Sequence, residues 1–353
     1  MPDVDFAIVD PHIHQWEPRA TPRAVSILAR PLGRWPTFYK RAAELLMPKP
    51  ARDFVGGDSV LFPYLPADYA ADAAGLRVDT VVHVQAGWHD HSVLGPVGET
   101  RWLESLDFAG SGLTLGAIVA QADLCNPRVG ETLAAHLQAS AKVRGIRDMA
   151  SRHPDRGVMQ WTKRERLFQD KAFLLGFEQL AKHGLRFDAW CYSHQLPDVA
   201  ALAQRFPEVS IVLDHLGSPV GAGGPSGGAG ATEQERARII GRWRDDLARL
   251  REHEQVFAKL SGLAMPVIGF GFHTRQAPPS IEQLSDAFRP FIAHALDVFG
   301  LERAFFASNF PMDKASAPLS HLFGAYERLA RERDPHALRA LFRDNARRFY
   351  GIT

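Results

Sequence analysis

The sequence predicts an α/β protein of the (β/α)₈ TIM-barrel class, distorted by a long insertion after its first strand and formed by one domain over residues 1–353. Two observations carry that expectation. Eight short apolar runs of strand type recur along the chain, and helical patterns separate them. Strand alternating with helix points to a parallel sheet. Eight strands with no second zone of composition point to a closed barrel, a fold that takes a chain of this length as one domain.

The strand-type runs fall at residues 7–9, 80–84, 115–120, 143–146, 186–191, 210–213, 256–260 and 304–307. Stretches such as "GAIVA" and "SIVLD" are apolar throughout or nearly so, the pattern of strands covered on both faces. Between them lie helical stretches such as "ERARIIGRWRDDLARLREHE" and "SIEQLSDAFRPFIAHALDVFG". Gly184 and Gly300 stand where helices should end, a position that favours glycine. Residues 15–66, rich in Pro, Arg and aromatics, are too long for an ordinary loop between strand and helix. Such a loop opens on the C-terminal face of a barrel, so this insertion is expected to form a lid or pocket wall. The glycine-rich stretch 217–235 reads as a mobile loop after strand six. It lacks the spacing and terminal Lys-Ser/Thr of a phosphate loop, which removes a nucleotide role.

Composition narrows the function classes. The formal net charge is +1, with 46% hydrophobic and 23% charged residues. No broad field favours nucleic acid or anionic lipid, and no apolar stretch has the roughly 20 residues of a membrane span. Two cysteines, Cys125 and Cys191, cannot make a disulfide framework and read as reduced thiols. The acidic start, residues 1–5, lacks a signal-peptide pattern, which reads as cytoplasmic. The expected partner is a small-molecule substrate, carboxylated if the arginines below bind it; a homo-oligomer stays open.

Polar residues gather just past the predicted strand ends. Strand one delivers His12 and His14, two apart and therefore on one face. Strand four delivers Arg147 and Asp148, then Arg152 and His153; strand five, Tyr192 and His194; strand six, Asp214 and His215; strand eight, Asn309, Asp313 and Lys314. His12, His14, His194 and His215, four histidines from three strand ends, form a metal-ligand-like set. His83, His89, His91, His136, His183, His253 and His294 each read alone as packing or surface. Asp214, adjacent to His215, is expected to point the opposite way and to be structural. Trp16, Trp88 and Trp190 either line a pocket or pack at the rim.

With "IVDPHIHQW" at the start, "VQAGW" and "ETRWL" around strand two, "VRGIRDM" at strand four, "LDHLGSP" at strand six and "FASNFPMD" near the end, the chain resembles the amidohydrolase-related branch of the amidohydrolase superfamily. The resemblance lies near members that hydrolyse sugar lactones and pyrone-dicarboxylate lactones. It implies that His12 and His14 are the strand-one pair, that His215 is the strand-six histidine and that His194 is the strand-five one. It implies one divalent, zinc-like metal, held here by His12, His14 and His194, or a metal-free variant in which histidines act as donors. The aspartate expected on strand eight is Asn309 in this chain, and an amide cannot serve as a general base near neutral pH. That role passes to Asp313, His215 or His194. No bridging lysine follows strand four, which argues against two metals. Arg147 and Arg152 suit a substrate carboxylate, with Tyr192 and Asn309 beside them. The expected activity is hydrolysis of a small carboxylated lactone or cyclic ester. The alternatives are a metal-dependent decarboxylase of an aromatic or unsaturated acid, or a binding protein on an altered catalytic barrel.

Overall fold

The computed structural model describes residues 4–353; the first three residues of the acidic N-terminal segment lie outside them. Eight parallel strands run in chain order: β1 Ile8–Ile13, β2 Val78–Val84, β3 Thr114–Gln121, β4 Val143–Met149, β5 Arg186–Trp190, β6 Ile211–Leu213, β7 Val256–Leu260 and β8 Ala304–Phe306. Each is within a few residues of its predicted run. The circle closes between β8 and β1, where the His14 amide donates to the Phe310 carbonyl (2.8 Å) and the Asn309 amide to the His12 carbonyl (2.9 Å). The molecule is a (β/α)₈ TIM barrel.

The strand alternation sorts side chains between two cores. Ile8, Ile13, Val81, Ile118 and Ile146 face outward into the layer packed by the surrounding helices. Val9, Val82, Val84, Val119, Val212 and Phe305 face inward and meet Phe349 and Tyr350 of the C-terminal helix Asn345–Tyr350. That helix plugs the end of the barrel away from the site, so the interior is packed rather than open. Pro11 lies inside β1, and the pairing with β2 shifts register between Asp10 and Ile13. A proline has no N–H to give the ladder, and the break falls just where the two histidines leave it.

The insertion after β1 folds into three short helices, Ser26–Leu32, Pro36–Leu46 and Lys49–Val55. The Arg23 guanidinium ties its start to the barrel by donating to Glu99 Oε1 (2.8 Å), both side chains being buried. The glycine-rich stretch after β6 is laid against the chain that follows β7, with amides of Gly221 and Gly223 donating to the carbonyls of Val267 and Ile268. Both cysteines are free thiols. Among the described residues no helix is long and apolar enough to cross a membrane.

Candidate active site

A cavity of about 830 Å³ opens at the C-terminal ends of the strands. Its polar floor carries His14 from β1, Gln85 after β2, Arg147 from β4, His215 after β6 and Asn309 after β8. The walls come from the insertion and from the segments after β4 and β7.

Local backbone conformation aims two of these side chains. Four described residues other than glycine have a left-handed backbone: His215 (φ 53°), Leu216 (φ 54°), Ser218 (φ 34°) and Asn309 (φ 58°). All follow β6 or β8, and such strain concentrates where a site needs a side chain turned against the preference of its backbone. Gly262 makes room for the result. A Cβ there would come within 2.5 Å of His215 Cγ, and its own φ is +67°. His215 Nδ1 meets Ser261 Oγ at 2.9 Å, and Nε2 has no hydrogen-bond partner among the described residues.

The turn at His215 also overturns the expected orientation of Asp214. Strand alternation ends at Leu213, so Asp214 and His215 both face the barrel interior. Asp214 Oδ1 lies 3.4 Å from His12 Nδ1 and 3.0 Å from Lys259 Nζ. Lys259, on β7, donates to Asp188 Oδ2 (2.5 Å) and to His12 Nδ1 (3.2 Å). The Tyr350 hydroxyl donates to the same Asp188 oxygen (2.8 Å). Burial pushes Asp188 up to about 6 against the pull of the Lys259 charge. Sequence reasoning missed Lys259 and Asp188. The signal was there: a charged residue in the middle of an apolar strand run, "RFDAW" and "VFAKL", must either break the pattern or meet a buried partner.

His14 is pinned at both nitrogens. Its Nδ1 lies 2.7 Å from the Val84 carbonyl, which only accepts, so Nδ1 carries the proton. Burial holds the ring down to about 3, so it is neutral and Nε2 is an acceptor. Nε2 faces Asn309 at 3.3 Å, and the other end of the Asn309 amide meets Asp313 at 3.1 Å. Burial raises the Asp313 carboxyl to about 8, so it is protonated at neutral pH. Amide oxygen and nitrogen exchange by a half-turn. With the Asn309 NH₂ on His14 and its oxygen on the Asp313 hydroxyl, each of the two contacts pairs a donor with an acceptor. Asp313 therefore stands behind Asn309, off the cavity wall, as a proton donor.

Other expected residues are placed elsewhere. β5 ends at Trp190, and the one-turn helix Ser193–Gln195 carries His194 away from His12 and His14. Its ring packs against His153 (centroids 5.4 Å apart), and burial holds it down to about 4. Arg152 donates to the Lys163 carbonyl (3.2 Å) and pairs with Glu165. Tyr192 gives its hydroxyl to the Met159 carbonyl (2.7 Å). Trp16 and Trp190 line the cavity; Trp88 packs under the Arg23 guanidinium. Arg147 Nη2 donates to the Gln85 carbonyl (2.6 Å), and Nη1 lies 3.7 Å from Asp214.

A metal can be tested against these donors. His12, Asp214 and His215 bring ligand atoms within 4.8 Å of one another, a spacing that could hold one ion. This differs from the expected set, because His14 is committed to Val84 and Asn309 and His194 is remote. The charges argue against the fit. The Lys259 ammonium already contacts two of the three groups, and the Arg147 guanidinium approaches the third side of the carboxylate. A divalent cation would stand against two fixed cations in a dry interior, where like charges repel strongly. As folded, His12 and Asp214 serve Lys259.

A parallel eight-stranded barrel with a histidine-floored cavity at its C-terminal face defines a barrel enzyme acting on a small molecule. A family model described as amidohydrolase matches residues 9–352, and the chain belongs to that family as a hydrolase. It is 30% identical over 348 residues to protein y4mH of Sinorhizobium fredii, covering 99% of each chain. It is 29% identical over 301 residues to an L-fucono-1,5-lactonase of Burkholderia multivorans, covering 82% of this chain and 93% of that one. A zinc-bound crystal structure of an amidohydrolase from Burkholderia multivorans shares the fold with a TM-score of 0.71 at 23% identity, over 99% of this chain and 100% of the other.

Proposed function

We propose that the protein hydrolyses a lactone or related cyclic ester by water attack at the cavity floor. One observation carries the reading: His215, a neutral imidazole with an unpartnered Nε2, shares that floor with the Arg147 guanidinium. Burial keeps His215 well below the ordinary histidine value, so it is unprotonated at neutral pH, and neighbouring Asp214 offsets the charge it gains on taking a proton. His215 accepts a proton from water as the oxygen adds to the carbonyl carbon. Arg147 is the donor for the oxyanion. The ring C–O bond then breaks, and the proton passes from His215 to the departing ring oxygen, leaving a hydroxy acid. His14 and Asn309, locked to each other, form the rigid side of the floor. The lactonase relatives support the same reaction class.

Ring opening frees a carboxylic acid, so a pH-stat screen of lactones reads the reaction directly. His215→Asn should lower kcat by about 10²–10⁴-fold on any hit, with the circular dichroism spectrum unchanged. Undiminished turnover by this variant, or no turnover of any lactone by the wild type, would overturn the proposal.

A further inference from the structure

Above its polar floor the cavity is walled by apolar side chains, among them Phe54, Val55, Met159, Trp161, Met265 and Met312. The methionines are concentrated there. The chain has six, and all but the first residue, namely Met47, Met149, Met159, Met265 and Met312, line this one cavity. Methionine is flexible and polarizable, and it suits a wall that adapts to apolar groups of varied shape.

Several polar groups on those walls are already engaged, while the Trp161 ring N–H has no hydrogen-bond partner among the described residues. Arg23 is held by Glu99, and Trp16 Nε1 donates to the Phe62 carbonyl (2.9 Å). Gln160 gives its NH₂ to the His153 carbonyl (3.0 Å) and takes the His153 amide on its oxygen (2.9 Å). A ring bearing several hydroxyls would lose water there and find few partners. At the mouth, Ile27 and Leu46 line the cavity while 80% and 64% exposed. They are large apolar surfaces left open to water at the end of an apolar path from the floor. The volume of about 830 Å³ lies toward the upper end of small-molecule sites, about 300–1,000 Å³.

Resting on the lactone reading, we propose that the substrate ring carries a bulky alkyl or aryl substituent. The carbonyl sits on the floor and the substituent runs along the methionine-lined wall toward Ile27 and Leu46. Polyhydroxylated sugar lactones are then the poor substrates.

The test is a series of δ-valerolactones, unsubstituted and with propyl, pentyl and heptyl chains, beside a polyhydroxylated aldonolactone. Expected is a rise in kcat/KM of roughly fourfold per buried methylene until the wall is filled, with the hydroxylated ring poorest. A flat series, or preference for the hydroxylated ring, overturns this inference and leaves the lactone reading intact. If no lactone turns over, the lactone reading falls and binding decides the rest. The matching lactams are titrated against the fluorescence of the intact protein, whose Trp161 and Trp190 line the cavity. A Kd that falls with chain length supports the apolar wall, and one that does not overturns it. Ile27→Asp and Leu46→Asp, both at exposed positions, should flatten the chain-length dependence; an unchanged slope in both overturns the path to the mouth.

Discussion

At position 313 a fully buried carboxyl group meets the Asn309 amide and the Ala264 backbone. Desolvation holds it near 8, above the usual carboxylate range, so it acts as a donor to Asn309. Asparagine at 313 can make the same donation. Asp313→Asn should therefore keep kcat within about tenfold of wild type, whereas loss of a general base costs about 10²–10⁴-fold. Because folded Asp313 binds a proton that the unfolded chain releases, its contribution to stability declines as pH rises from the ordinary value toward 8. The denaturant midpoint of Asp313→Asn should then lose less between neutral and mildly alkaline pH than that of wild type. Gly262 is the other decisive single position. Gly262→Ala sets a methyl against the His215 ring at a left-handed backbone. It should lower kcat by at least about tenfold and stability by about 1–3 kcal/mol, read by steady-state kinetics and urea unfolding.

The elements do different work around that floor. β1 and β8 are stitched together by the backbone of the residues that present His14 and Asn309, so barrel closure and floor geometry are one feature. β6 ends after three residues and hands over to a left-handed turn, which faces Asp214 and His215 the same way. The insertion helices hang on the Arg23–Glu99 pair. Burial alone would raise the Glu99 carboxyl, but the charge and hydrogen bond of Arg23 together with His83 outweigh it and hold the group at about 2. A depressed carboxylate stabilises the fold above its unfolded value near 4.5 and ceases to as pH falls toward 2. The contribution lost in that window is on the order of 3 kcal/mol. Glu99→Gln should lower the urea midpoint at neutral pH and remove much of its decline between about pH 5 and 3, since it carries no titrating group there.

At the scale of the molecule, the centre of the barrel is balanced by its own charges: Lys259 and Arg147 against Asp188 and Asp214. A prolonged incubation with chelator should leave kcat on a lactone hit within about twofold and should not lower the melting temperature, because the cation at His12 and Asp214 is an ammonium. Lys259→Met should unfold the chain at lower denaturant, since it leaves Asp188 buried without its cation and Asp214 with Arg147 alone, a loss of about 3–5 kcal/mol.

Much of the barrel was legible in the sequence, because a strand covered on both faces needs an apolar run and a helix behind it needs its own period. Those are local patterns, and they placed all eight strands and set His12 and His14 at the end of the first. Which side chains meet across the barrel is not local. His194 follows its strand by four residues, and one turn of helix is enough to carry it away from the pair. Asp214 was expected to face outward because strands alternate, and a left-handed His215 stops the alternation one residue too soon. The sequence by itself determined the barrel and the histidine pair. Only the tertiary structure decided that Lys259 occupies the cation position, that Asp313 serves Asn309, and that five methionines from distant segments share one wall. Charge balance and cavity lining depend on distances between segments far apart in the chain, and no local period encodes them.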